Sequence, residues 1–239
     1  MNINLVSEWE DTKKLFRNIP SVVAALFTVS VVVMNIMANK TIFQNEWLAL
    51  DGGFLISWLS FLCMDIVTKA FGPKAATKLS VFAMFINIFV CIMFYIVSII
   101  PTKEDFSAFN YVIGGTWFIL FSSTVAFISS AVINNYLNWG IGKAFKKNAN
   151  EKLEYVTRTY ISTFIGQLCD NLIFASLAFM LFAPIFWNGF HWTFIQCLSS
   201  AVLGAILELL MEVIFSPIGY IILQDWKKSG IGVEYAGEA

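Results

Sequence analysis

Six apolar stretches, each long enough to cross a bilayer, follow one another along 239 residues with only short polar connections between them. That recurrence constrains the fold more than any other feature of the chain. An apolar layer about 30 Å thick offers no water to backbone N–H and C=O groups, so a crossing segment of about 20 residues forms a helix bonded within itself. The spans read as 20–38, 53–70, 78–100, 111–137, 159–186 and 192–224. The last three exceed the length a span needs, and Pro184 is expected to end the fifth early and Pro217 to kink the sixth. Hydrophobic residues make up 58% of the chain and charged residues 13%. Soluble domains carry roughly 45–50% and 25%. The expectation is an all-α, multi-pass integral membrane protein, with a six-helix domain over 20–226 between an N-terminal segment, 1–19, and a C-terminal tail, 227–239.

Orientation follows from the basic residues. With the N-terminus in the cytoplasm, that side collects Lys13, Lys14, Arg17, Lys69, Lys74, Lys78, Lys143, Lys146, Lys147, Lys152, Arg158, Lys227 and Lys228, and the outside receives Lys40 and Lys103. The split is strongly positive-inside and predicts both termini cytoplasmic with an even number of spans. A cleaved signal peptide is not expected, since the first apolar run is too long for one and no Ala-x-Ala site follows it. The net charge of -1 comes with no basic face free to hold nucleic acid.

Function is written in polar groups inside the spans. In RTYISTFIGQLCDNLIF, Arg158 to Phe174, the residues Gln167, Asp170, Asn171 and Phe174 share one helical stripe. At about 1.5 Å per residue, Asp170 lies roughly 18 Å beyond Arg158, near the middle of the apolar layer. A carboxylate there costs on the order of 2.5–3.5 kcal/mol, so it faces a cavity or a partner. A structural hydrogen bond between helices is one reading, and a small-molecule pathway the other. Further candidates are Asn35 and Asn39 in the first span, Asp65 in the second with Lys69 four residues on, Ser129, Ser130, Asn134 and Asn135 in the fourth, and Glu208 and Glu212 in the sixth. Glu212 reads as interfacial, and Glu208 as the deeper group. Amides and carboxylates together suit a flat heterocycle with several N–H groups, with aromatic surfaces such as Phe174, Phe127 and Trp58 for stacking.

Enzyme chemistry has little support. Cys63, Cys91, Cys169 and Cys197 all fall within spans and none forms Cys-x-x-Cys, while His191 is the only histidine. The cysteines read as packing residues, with neither metal nor cofactor expected. The sequence has no His-Glu-x-x-His, no Gly-x-Ser-x-Gly and no glycine-rich phosphate loop.

Several of these pieces together resemble a known family. Ala38-Asn39-Lys40, Met64-Asp65 with Phe71-Gly72, AFISSAVINNYLNW at the end of the fourth span, and above all Arg158, Ser162, Gln167 and Asp170 of the fifth are similar to the queuosine precursor transporter family, earlier grouped as vitamin uptake transporters. The resemblance covers roughly residues 22–228. It implies a six-helix inner-membrane protein, similar in fold to the substrate-binding components of energy-coupling-factor importers, that carries 7-deazaguanine precursors of queuosine. The chain departs from the family at Lys69, where an acid is usual, and at Asn134 and Asn135, near a usual Gln and Asp. The residues expected to meet the substrate are Asp170 and Gln167, with Asn134, Asn135, Asn39, Glu208 and Asp65 behind them. Two alternatives stand beside this reading. One is a binding component that docks on a separate ATP-driven module, for which Ala24 and Thr28 are a weak signal. The other is a membrane-assembly protein without a ligand.

The topology has a direct test. In a Cys-less background, single cysteines at Lys103 and Asn188 are expected to react with an impermeant maleimide from outside intact cells, and cysteines at Lys146 and Lys228 to stay unlabelled. Labelling of the second pair in sealed cells would overturn the ends-inside arrangement.

Overall fold

The computed structural model describes residues 5–145 and 151–232. Within those ranges, side chains are described except at 5–7, 65, 131, 132, 134, 135, 138–145, 151–160, 162, 163, 212 and 216. The elements in order are α1 (Leu5–Asn18), α2 (Ser21–Met37), β1 (Thr41–Gln44), β2 (Ala49–Asp51), α3 (Phe54–Phe71), α4 (Pro73–Ile99), α5 (Ser107–Phe145), α6 (Glu151–Ala175), a π-helical stretch (Ser176–Phe182), α7 (Ala183–Phe186) and α8 (Phe194–Lys228). Among the described residues, five helical spans are long and apolar enough to cross a membrane, and α2 makes a sixth when taken with α1, from which it turns by 103°. The chain is therefore an all-α integral membrane protein, with one short hairpin among the described residues.

Local chemistry sets the element ends. Pro20 cannot continue α1, and its carbonyl accepts the N–H groups of Val23 and Ala24 at the start of α2. Between α3 and α4, Gly72 takes φ +85° and Pro73 opens the next helix, the expected pairing of glycine at a helix end and proline at a start. At the end of α8, Gly230 has φ +72°. Its N–H reaches the Lys227 carbonyl and the Ile231 N–H reaches that of Trp226, which closes the helix in a Schellman motif. Thr193 and Gln196 start α8 with a reciprocal capping box, at 2.7 and 3.2 Å.

The chain divides into two units, each described by itself. The first comprises Met1–Met34, Leu55–Val90 and Met211–Ala239. Here α1 buries Leu15 and Ile19 in a cluster with Cys63, Ile66, Val67, Phe71, Leu79 and Trp226. Its spacing of Leu15, Phe16 and Ile19 makes one apolar stripe, while Lys13, Lys14 and Arg17 stay exposed. Glu8 meets Lys78 at 3.2 Å and Phe16 packs on Phe82 at 5.0 Å, which fixes α1 against the start of α4. Trp58 stacks on Phe215 at 4.2 Å, and Trp226 packs edge-on to Phe71.

The second unit comprises Asn35–Phe54 and Cys91–Leu210. The connection read from the sequence as plain loop is here an antiparallel hairpin, pairing Thr41 with Asp51 and Gln44 with Ala49. Asn45 builds its turn: the side-chain oxygen accepts the N–H groups of Trp47 and Leu48 at 3.0 and 2.7 Å. Two residues beyond α7 hold the hairpin down. Trp192 Nε1 donates to Thr41 Oγ1 at 3.2 Å, and Gln196 Nε2 donates to the Asn45 carbonyl.

Pro184 does not end the fifth span, which corrects the sequence expectation. The helix widens ahead of it instead. The Ala183 N–H bonds to the Ala178 carbonyl, five residues back, in the π register. In that register Pro184 owes a donor to the Phe179 carbonyl and has none to give. The Trp192 N–H supplies it at 3.1 Å, and the indole stacks on the Phe179 ring at 4.0 Å. Pro217 likewise lies inside α8, which continues through it to Lys228.

The hairpin docks tightly at Gly52. A Cβ there would stand 2.6 Å from the Met37 carbonyl oxygen, a backbone atom that cannot step aside. Gly52→Ala is expected to destabilise the protein by about 1–3 kcal/mol through overpacking. The readout is a lower thermal midpoint in detergent, and an unchanged midpoint would contradict this packing.

Candidate functional site

The polar groups of the second unit gather along α6 and what it meets. α5 and α6 run side by side, and Ser130 of α5 faces Asp170 of α6. The Ser130 hydroxyl lies 2.9 Å from Asp170 Oδ1 and 3.0 Å from the Phe127 carbonyl, so one proton serves two acceptors. The next residue, Asn171, turns to α8 and donates through Nδ2 to Glu208 Oε2 at 3.2 Å. Glu208 is only 6% exposed, which places this carboxylate among the buried polar groups. Gln167, one turn before Asp170, holds its Oε1 buried with no donor among the described residues.

Asn39 is held at the end of α2. Its Nδ2 lies near the carbonyls of Ile36 (2.9 Å) and Asn35 (3.3 Å) and near Thr116 Oγ1 (3.1 Å). Three acceptors around one NH2 fix the amide's orientation and turn its Oδ1 the other way. That oxygen is buried and accepts no bond among the described residues. An unsatisfied buried carbonyl of this kind costs about 1–3 kcal/mol, so two of them in one unit call for a reason.

Asp51 is the residue that sequence reading missed. It closes β2 and accepts the Gly53 N–H at 2.7 Å, turning the chain into α3. Burial pushes its carboxyl up to about 6, against the lowering pull of the Gly53 and Phe54 N–H groups. Glu208 lies within electrostatic range of both Asp51 and Asp170. The signal was present as an acid followed by two glycines at the mouth of a span, but it read as a polar connection.

Of the other sequence candidates, Asn134, Asn135, Asp65, Arg158, Ser162 and Glu212 have side chains outside the described set. Asp65 belongs to the first unit by position. Lys69, four residues on, is exposed. Phe174 packs edge-on to Phe179 at 5.8 Å within a larger aromatic cluster that includes Phe118, Phe182, Trp187 and Trp192. Cys63, Cys91 and Cys197 are buried and Cys169 is partly so, all as free thiols. Among the described residues no group of three or more His, Cys, Asp or Glu side chains is placed to hold a metal ion.

Membrane-spanning helices around buried, under-satisfied amides and carboxylates define a class: a multi-pass membrane protein with polar groups inside its spans. The family comparison narrows this. Residues 51–222, well over half the chain, match the family described as "Putative vitamin uptake transporter", and the chain belongs to that family. It is thus a multi-pass cell-membrane protein of a transporter family. Neither a curated protein nor a solved structure matches it significantly.

The raised carboxyl of Asp51 gives a pH test. An acid whose folded value lies above its unfolded one stabilises most below about 4, and that contribution is lost as pH rises through about 6. Asp51→Asn keeps an oxygen for the Gly53 N–H and removes the ionisation. The variant is expected to gain stability relative to the parent between pH 4 and pH 7, by up to roughly 3 kcal/mol. Thermal midpoints measured across that range check it, and parallel curves would refute it.

Proposed function

We propose that this chain imports a queuosine precursor, a 7-cyano- or 7-aminomethyl-7-deazaguanine-like base, with both termini in the cytoplasm. The observation that carries the reading is the surplus of buried acceptors in the second unit. Asp170 has one shared hydroxyl proton, and Gln167 Oε1 and Asn39 Oδ1 have no donor among the described residues. A guanine-like edge brings several N–H donors in a plane, and these acceptors are what such an edge lacks in a membrane. Membership of a vitamin uptake transporter family supports a small-molecule cargo. The Arg158, Ser162, Gln167, Asp170 pattern supports the deazaguanine within that class.

On this reading Asp170 and Gln167 hold the base, while Asn39, Asn134, Asn135 and Glu208 are the remaining contacts to test. Buried acceptors also explain selection: a base lacking the matching N–H would leave them unpaired, which discriminates more strongly than shape alone.

The experiment places the gene in a host that neither makes 7-deazaguanines nor imports them, supplies each precursor at low concentration, and measures queuosine in tRNA. Rescue by at least one precursor is expected. Asp170→Asn keeps size and loses charge, so affinity is expected to fall by about 1.5–3 kcal/mol, roughly ten- to a hundred-fold, with expression intact. No queuosine from either precursor, with the protein present in the membrane, would remove the substrate and leave the family standing.

A further inference from the structure

α1 does not continue α2 through a membrane. It turns by 103° from that helix. α2 alone has 17 residues, which at about 1.5 Å each already cover most of an apolar layer. α1 meets α4 in the early turns of that helix, with Glu8 against Lys78 and Phe16 against Phe82, and Pro20 joins it to the start of α2. α1 is thus laid across the beginnings of two long apolar helices, at one end of the first unit.

One stripe of α1 borders the core without entering it. Trp9, Lys13, Phe16 and Arg17 stand at i, i+4, i+7 and i+8, beside the face that buries Leu15 and Ile19. Phe16 joins this stripe to Phe82, and beyond Phe82 the same helix exposes Phe85 and Phe89, a surface that in a spanning helix meets lipid. Trp9 is 60% exposed, with the Lys13 ammonium 5.3 Å from its ring centre. An indole at the edge of a lipid-facing surface, with cations beside it, is what a membrane–water interface selects. Arg17 is exposed and has no acidic partner among the described residues. Lys13 also meets Glu10 at 2.8 Å, but both side chains are well exposed, and such a pair yields readily to another anion. Of the other acids on α1, Glu8 is engaged by Lys78, and Asp11, two residues from Lys13, falls on the far side of the helix.

We propose that α1 lies in the plane of the membrane–water interface and holds an anionic phospholipid there, with Trp9 at headgroup level and Lys13 and Arg17 on the phosphate. The Arg17 guanidinium offers a planar fork to two phosphate oxygens, and Lys13 adds a point charge next to it. A zwitterionic headgroup brings its own ammonium against these cations, so the site prefers a lipid with net negative charge. Phe16, packed between the core and Phe82, fixes the depth of the stripe. The solute carried by the second unit plays no part in this.

The test places the full-length protein in bilayers that mix phosphatidylcholine and phosphatidylglycerol, with one or the other lipid brominated, and reads quenching of tryptophan fluorescence. The difference between wild type and Trp9→Phe isolates the share of Trp9. Brominated phosphatidylglycerol is expected to occupy the site beside Trp9 at least about five-fold more favourably than brominated phosphatidylcholine. In the double variant Lys13→Gln, Arg17→Gln that ratio should fall to within about two-fold of one, with unchanged emission from the remaining tryptophans showing that the protein is folded. Glu10→Gln, which releases Lys13, should raise the ratio instead. Equal quenching by both lipids in the wild type, or a preference that survives the double variant, would overturn the headgroup assignment. A Trp9 that neither lipid quenches would overturn the in-plane placement as well, because the stripe would then face water or a protein partner.

Discussion

Everything in the second unit turns on how buried carboxylates are partnered where water is scarce. An ionised carboxylate accepts up to about four hydrogen bonds, and taking it out of water costs several kcal/mol unless those bonds are replaced. The chain supplies very few. Asp170 receives the Ser130 hydroxyl, Glu208 receives the Asn171 amide, and Asp51 receives the Gly53 and Phe54 N–H groups. A protein selected only for stability would replace such groups with apolar side chains of similar volume, which is often neutral or favourable. Keeping them half-satisfied makes sense where another molecule completes the set.

The surroundings are built to hold those groups still. Trp192 makes three separate connections: its N–H takes the Phe179 carbonyl orphaned by Pro184, its ring stacks on Phe179, and its Nε1 donates to Thr41. The π-helical turn, the hairpin and the start of α8 thereby share one buried side chain. Gln196 repeats the pattern, capping α8 at Thr193 and tying down the hairpin turn at Asn45. Residues whose rotamers are fixed from several sides give a site its geometry before any ligand arrives, which lowers the ordering cost of binding.

Much of the fold was legible because spans announce themselves over about 20 residues at a time. The reading of 53–70 against α3 at Phe54–Phe71, and of 192–224 against α8 at Phe194–Lys228, shows how sharp that signal is. The hairpin was not legible. Its strands are four and three residues long, too short for a period of two to stand out from a polar connection. The π turn was hidden for another reason: Pro184 predicts a break, and only the distant Trp192 N–H decides that the helix widens instead. At the site, Gln167, Asp170 and Asn171 were visible as one helical stripe. The partners Ser130 and Glu208 were visible only as polar residues on other helices, since periodicity orders a helix's own faces and says nothing of which helix comes next. Asp51 stood out only as an acid before two glycines, a pattern that reads equally well as loop.

The balance of satisfaction also bears on transport itself. A site whose acceptors were fully met from within would have no affinity to offer, and one left wholly unmet would relax by closing or by admitting water. A few donors for the carboxylates, with the Gln167 and Asn39 oxygens left without any among the described residues, lie between these limits. A carrier needs that middle ground, because each cycle ends in release, and every 1.4 kcal/mol of extra affinity slows or disfavours departure about ten-fold. It also makes discrimination steep. A solute with the matching donors relieves several buried acceptors at once, while one without them leaves the same acceptors unpaired and pays their desolvation again. On the proposed reading, selection depends less on the shape of aromatic walls than on how many hydrogen-bond donors a solute brings to the face that α6 shares with Ser130 and Glu208.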